Sequence, residues 1–208
     1  MSARPKRGLT RQFCATDKAR AMNKEILQNT VLALLKAAPG LGSIHINKGL
    51  LIIDAYHHSL YHKTLTGIHY VKHDLGPVPE PCAHLAIFEM ELDKVEVRPE
   101  RRGPIHTLNA HYALTDPDYS LFSETAIAII NEIAGMIRHI SASRLSRLTH
   151  NKVWEKTPKG QAIPIETAYS IDVITRRVRK LTGPELSQAQ NILEGLYSAN
   201  EPILSAAN

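Results

Sequence analysis

The fold turns on residues 48–79, KGLLIIDAYHHSLYHKTLTGIHYVKHDLGPVP. Within it, Leu50, Ile53, His57 and Leu60 continue the spacing of Ile46 at steps of three and four, so they share one face of a helix. Ser43 is placed to cap that helix. It stops near Lys63, ahead of Thr66-Gly67. A short extended segment follows, from Ile68 to Lys72. Gly76-Pro77-Val78-Pro79 reads as a rigid turn, because proline fixes φ, removes a donor and cannot continue a helix or a sheet ladder.

Working outward toward the N-terminus, a helix is predicted from Asp17, with Thr16 or Asp17 as its cap. Its apolar stripe is Ile26, Leu27, Thr30, Val31, Leu34 and Leu35, and Pro39-Gly40 ends it. Toward the C-terminus, a helix is predicted from Glu80 or Pro81 to about Leu92. Val95 to Arg98 and Ile105 to Leu114 alternate as two strands, joined by Pro99 to Pro104 as a charged turn. Asp116-Pro117-Asp118 opens a longer helix. Its stripe of Phe122, Ala126, Ile129, Ile133 and Met136, widened by Ile130 and Ile137, marks it as central and buried. Ser141 starts a helix through Leu148, and Trp154 falls in the loop beyond. Further helices are predicted over 166–181 and, after the Gly183-Pro184 break, along Leu186 to Leu196. The predicted class is α+β and predominantly α-helical: a helical bundle with a small antiparallel β-sheet.

Composition narrows the function. The chain has 208 residues, is 43% hydrophobic and 22% charged, and carries a formal charge of +5. These values describe one globular domain with tails. The charge is uneven: residues 1–24 hold seven Lys/Arg and one acid, whereas residues 183–208 hold three glutamates and no base. Basicity therefore belongs to an N-terminal arm, residues 1–20, rather than to the body. The longest apolar runs, Val31 to Leu35 and Ala126 to Ile130, fall far short of the roughly 20 residues of a membrane span. Cys14 and Cys82 are distant and form no CxxC pair, which excludes a cysteine zinc site and predicts free thiols in a reducing compartment. The expected location is the cytoplasm.

The chain lacks a GxSxG elbow, a GxxxxGK[ST] phosphate loop and a GxGxxG turn, so no catalytic residue and no cofactor is predicted. Eleven histidines raise the question of metal. Asp54, His58 and His62 recur at intervals of four and line one helical face, a ligand trio by type that would suit a metal-dependent hydrolase. The competing reading, a polar face carrying histidines, is preferred, and no metal is assigned. His57 sits on the apolar stripe, where a histidine is ordinarily a hydrogen-bonded core residue. Arg4 to Arg11 and Arg176 to Lys180 are the two basic clusters a DNA-binding autoregulator would use. Neither is interleaved with aromatics, and nucleic acid is not an expected partner.

Taken together, Leu50 to Ile53, Asp54-x-Tyr56-His57, Thr66-Gly67, Tyr70 and Gly76-Pro77-Val78-Pro79 resemble the signature of the Panacea, or SocA-like, domain family. Downstream, Phe122 to Ile137 is similar to that family's central helix, and Leu145, Leu148-Thr149-His150 and Trp154 to its L-x-x-L-[ST]-H-x3-W element. Gly160 to Ile163 is similar to its trailing G-x-x-I. The resemblance spans about Ile26 to Ile174 and gives an organisation of arm (1–20), Panacea domain (21–182) and C-terminal helix (183–208). Val153 departs from the proline that often precedes the tryptophan, and residues 1–20 and 183–208 match poorly.

The resemblance implies an antitoxin of a bacterial or phage toxin–antitoxin system. Its partner would be a cognate toxin, bound directly, with a ClpXP-type protease as a further partner if the domain acts as an adaptor. No enzymatic activity, no cofactor and no membrane partner are implied. The signature residues Asp54, Tyr56, His57, Gly67, Gly76, Pro77, Val78, Pro79, His150 and Trp154 are expected to serve mainly as scaffold. Tyr, His and Trp join an apolar body to a polar tip and so support buried networks.

Overall fold

The computed structural model describes residues 22–102 and 104–165. Helix α1, Lys24–Ala37, starts at Asn23, whose side chain accepts from the backbone N–H groups of Glu25 and Ile26. The cap is thus Asn23, not Thr16 or Asp17; the predicted segment from Asp17 lies outside the described residues. Pro39-Gly40 ends the helix as predicted, with Gly40 at φ +80°. Helix α2, Ser43–Tyr61, is capped by Gly42, so Ser43 is its first residue and not its cap.

Helix α2 is the axis of the molecule. It packs against α1, against α4 (Glu124–Ile137) and against α5 (Ala142–Leu148). A Cβ on Gly49 would meet Ile137 Cδ1 at 2.9 Å and Leu34 Cδ2 at 3.0 Å, so α1, α2 and α4 close together at this glycine. Leu50, Leu51, Ile53, Leu27, Leu34, Ile133 and Met136 build the core around it. More of α2 is buried than one stripe would require, from Lys48 to His57 without interruption. Helix α4 has the central position its wide apolar face predicted, but it begins at Glu124 behind the Ser123 cap. Asp118 caps a separate 3-10 turn, Tyr119–Leu121.

Two small antiparallel sheets are present among the described residues. The first has the order β2-β1-β5, with β1 Tyr70–His73, β2 Gly76–Pro79 and β5 Ala162–Ile163. Gly76 to Pro79 is therefore a strand, and the turn is Asp74-Leu75. Register runs from Tyr70↔Pro79 to His73↔Gly76. The Glu80 N–H donates to His69 O at 2.9 Å, so the even residues of β2 point their N–H groups at β1. Pro77 and Pro79 then present their missing donors to the outer side, where an edge strand tolerates proline. The second sheet pairs β3 (Val95–Arg101) with β4 (Thr107–Ala113). Pro99 lies within β3, opposite Asn109, and not in the turn. Proline and charge on this edge blunt it against further pairing.

Between the sheets runs α3, Pro81–Glu89, extended by a 3-10 turn to Leu92 as predicted. Ser141 caps α5, again as predicted. Trp154 sits on a short helix, α6 (Lys152–Lys156), capped by Asn151, rather than in a loop. Cys82 is disulfide-bonded, which corrects the free-thiol expectation; the chain's other cysteine, Cys14, lies outside the described residues. The helices predicted over 166–181 and 183–208, and the arm at 1–20, also lie outside them. No described helix is long and apolar enough to cross a membrane.

Candidate functional site

The signature residues converge on two places at opposite ends of α2. Near its C-terminal end, Asp54 is wholly buried. Its Oδ1 accepts from the Thr66 backbone N–H at 2.9 Å, and its Oδ2 from the Thr66 hydroxyl at 2.6 Å and the Tyr70 hydroxyl at 2.8 Å. Burial raises the Asp54 pKa above the usual carboxylate value, while the bonds from Thr66, Tyr70 and Leu65 pull it back. Burial holds the Tyr70 hydroxyl well above its ordinary range, and the Asp54 charge and hydrogen bond add to that, so Tyr70 remains a donor. One turn on, His57 Nδ1 bonds Lys63 O at 2.7 Å, and Gly67 takes φ +69°. Together these residues tie the loop between α2 and β1 to the helix. Tyr56 is buried beside them, its pKa pushed up to about 12 by burial and by the charge of Glu132.

This geometry answers the metal question for Asp54. Both of its oxygens are engaged with Thr66 and Tyr70. His58 and His62 meet edge to face, with ring centroids 6.3 Å apart. Among the described residues no group of three or more His, Cys, Asp or Glu side chains could hold a metal ion. The trio does not come together as a ligand set.

Near the N-terminal end of α2 lies the β1–β2 hairpin, and side chains from three helices fasten its carbonyls. Lys48 Nζ of α2 donates to Pro77 O at 2.5 Å. The Ser146 hydroxyl of α5 donates to Leu75 O at 2.6 Å, and Trp154 Nε1 of α6 donates to His73 O at 3.1 Å. Pro77 O points away from the ladder on the edge strand, and Leu75 O lies in the turn, so each relies on a side-chain donor. Gly76, at φ +96°, is enclosed: a Cβ there would meet Thr149 Oγ1 at 2.6 Å and Lys48 Nζ at 2.8 Å. Trp154 stacks on His150 with centroids 3.8 Å apart and planes 3° from parallel, and Lys72 Nζ lies 4.3 Å over the tryptophan ring. With both neighbours in place, this ring is not an open platform for a base. Lys48 is 1% exposed, and burial brings its pKa down to about 7.

Spacing in the sequence marks the extended segment from Ile68 and the Gly-Pro-Val-Pro element, read as a turn, and the family resemblance marks the His-x3-Trp element, but neither shows what joins them. Lys48 and Ser146 are not among the residues singled out from the sequence, and Thr149 enters only through the Leu-Thr-His element. Lys48 carried a readable signal, a lone charge on a helix otherwise apolar from Leu50 to Ile53. Ser146 carried none, since a hydroxyl on a short helix is ordinary.

The class defined by these features is a predominantly helical α+β domain organised around one buried helix with a fastened hairpin. The chain matches the family model described as antitoxin SocA-like, Panacea domain, over residues 46–155, more than half of its length. It belongs to that family. The matched region includes every signature residue from Asp54 to Trp154. No curated protein and no solved structure matched the chain.

Proposed function

We propose that this chain is the antitoxin of a bacterial or phage toxin–antitoxin pair and neutralises its cognate toxin by direct protein–protein binding. The family match over residues 46–155 carries this reading. In it, the signature side chains act as scaffold: Asp54, His57 and Trp154 engage backbone or side-chain groups of the chain itself. Specificity then belongs to other surfaces of the domain, as suits a scaffold that serves different partners. The protein acts by binding and not as an enzyme. Delivery of the toxin to a ClpXP-type protease is a variant of the same reading.

The test is co-expression with the product of the open reading frame adjacent to this one. Rescue of growth, together with co-purification of the two chains, is expected. Growth arrest unchanged by this chain would sink the proposal. Toxin half-life separates the variants: it shortens in the presence of this chain if the chain is an adaptor, and is unchanged or lengthened if it simply occludes.

A further inference from the structure

Cys82 is the second residue of α3, half-buried and joined in a disulfide. It is the only cysteine among the described residues, and the chain's other cysteine is Cys14. A bond within one chain therefore joins these two. The reach is sufficient. Lys24, the first residue of α1, bridges Glu89 at the end of α3 at 2.7 Å, and Gln28 Nε2 donates to Ala86 O at 3.0 Å, so the two helices lie side by side. Cys82 is seven residues before Glu89, about 10 Å along the helix. The ten residues from Cys14 to Lys24 can span up to roughly 33 Å.

The bond is not a staple of the core. The buried cluster centred on α1, α2 and α4 is complete without Cys82, and a domain of this size folds on apolar burial alone. The family match covers residues 46–155, so Cys82 falls inside the shared domain and Cys14 outside it. The position of each sulfur favours exchange instead. A half-buried disulfide is within reach of a small thiol. Helix α3 begins without a side-chain cap, and its positive end stabilises a thiolate leaving from Cys82. Cys14 stands in sequence among Arg11, Lys18 and Arg20, with Asp17 the one acid of residues 1–24, which stabilises its thiolate in the same sense.

We propose that Cys14 and Cys82 form a reversible redox switch, which fastens the basic N-terminal arm to the start of α3 when oxidised and releases it when reduced. The co-reactant is a low-molecular-weight thiol of the glutathione class and its disulfide. In oxidation, one cysteine thiolate attacks the small disulfide and expels one small thiol. The other cysteine attacks the resulting mixed disulfide, expels the second small thiol and closes the Cys14–Cys82 bond. The protein gives up two electrons and two protons, and the small disulfide takes them up as two thiols. Reduction runs the same steps backward. Arg4, Lys6, Arg7 and Arg11 precede Cys14, so the state of one bond decides whether these four cations are tied to the domain. The switch stands or falls independently of the antitoxin reading.

The experiment equilibrates the full chain in glutathione buffers of graded oxidised-to-reduced ratio, then blocks free thiols by alkylation and digests with trypsin without reductant. Residues 12–18 linked to residues 73–94 are expected from the oxidised buffers, and the same two peptides, separate and alkylated, from the reduced ones. The thermal midpoint should fall by about 5–15 °C on reduction, because the bond closes a loop that contains α1, α2 and the hairpin. Cys14→Ser, a change outside the matched domain, should show the reduced-state midpoint in every buffer. A Cys14–Cys82 bond that survives in reduced glutathione alone would be a fixed staple and overturns the switch. So does the absence of the linked peptide from oxidised buffers, whether Cys82 is then free, joined to a second copy or capped by glutathione. A midpoint that ignores reduction, or a Cys14→Ser midpoint that still follows the buffer, overturns the tether.

Discussion

Both ends of α2 bury an ionisable side chain, and they do so on different terms. At one end Asp54 receives three donors, from Thr66 twice and from Tyr70. At the other, Lys48 gives a bond to Pro77 O beneath the hairpin. In each case burial works against the charged form, raising the Asp54 pKa and lowering that of Lys48. The difference lies in compensation. Asp54 is the hub of a network whose other members are themselves buried, so removing it strands them. Lys48 serves a strand edge that Ser146 and Trp154 also hold, and a charge buried on those terms costs stability wherever it is protonated.

The largest effect should therefore fall on Asp54. Asp54→Ala leaves the Thr66 N–H and hydroxyl and the Tyr70 hydroxyl without an acceptor in a dry interior. A loss of about 3–5 kcal/mol is expected from urea unfolding, of the order seen when one member of a buried polar network is removed. Asp54→Asn keeps one acceptor oxygen and should lie between the two. A cost under about 1 kcal/mol for Asp54→Ala would mean that the loop does not depend on this hub.

Lys48 should show itself through pH. Its pKa is about 7 in the fold, against 10.5 for a lysine in water. Between those values the unfolded chain carries a proton that the folded chain lacks, so stability rises with pH across that window. Below pH 7 both states are protonated and the full cost of burying the charge is felt. The gain from pH 7 to pH 9 should be about 2 kcal/mol. Asp54 has the opposite sign and another range: its raised pKa makes stability fall as pH climbs from 3.8 through the folded-state value. Lys48→Met keeps much of the side-chain volume without the charge. It should abolish the slope between pH 7 and 9 and should be more stable than the wild type at pH 6. Equal slopes in the two proteins would remove Lys48 from the account.

The two ends also differ in how far the sequence revealed them. Asp54 and His57 are visible as polar residues on a helix with a clear apolar period, and α5 and the α3 extension lie where their caps and stripes place them, whereas α4 keeps its stripe but starts at Glu124, six residues after Asp118. The hairpin was misread for a definite reason. Two prolines spaced by one residue argue against an interior strand but are compatible with an edge, because both missing N–H groups then face the same way. Whether a strand is an edge is a property of the sheet, and the third strand, Ala162–Ile163, lies more than eighty residues away. Trp154 was placed in a loop because a five-residue helix shows no period; its only local signal was the Asn151 cap.

The smallest expected effect tests whether the hairpin end is as divided as its three fasteners suggest. Trp154→Phe keeps an aromatic ring to stack on His150 and to lie under Lys72, and removes the bond from Nε1 to His73 O. That bond is exposed, so water can replace the lost donor and the cost should stay near 1 kcal/mol or below. The consequence should be local. Amide exchange at Val78 and Glu80 should quicken, because their N–H groups face β1 and depend on the hairpin staying closed. The midpoint of global unfolding should barely move. A midpoint that falls as far as that of Asp54→Ala would show instead that the tryptophan anchors the whole fold and that Lys48 and Ser146 cannot hold the hairpin without it. Quickened exchange with an unmoved midpoint would make the hairpin a part of the domain that opens on its own, held by Lys48 and Ser146 when the tryptophan bond is gone.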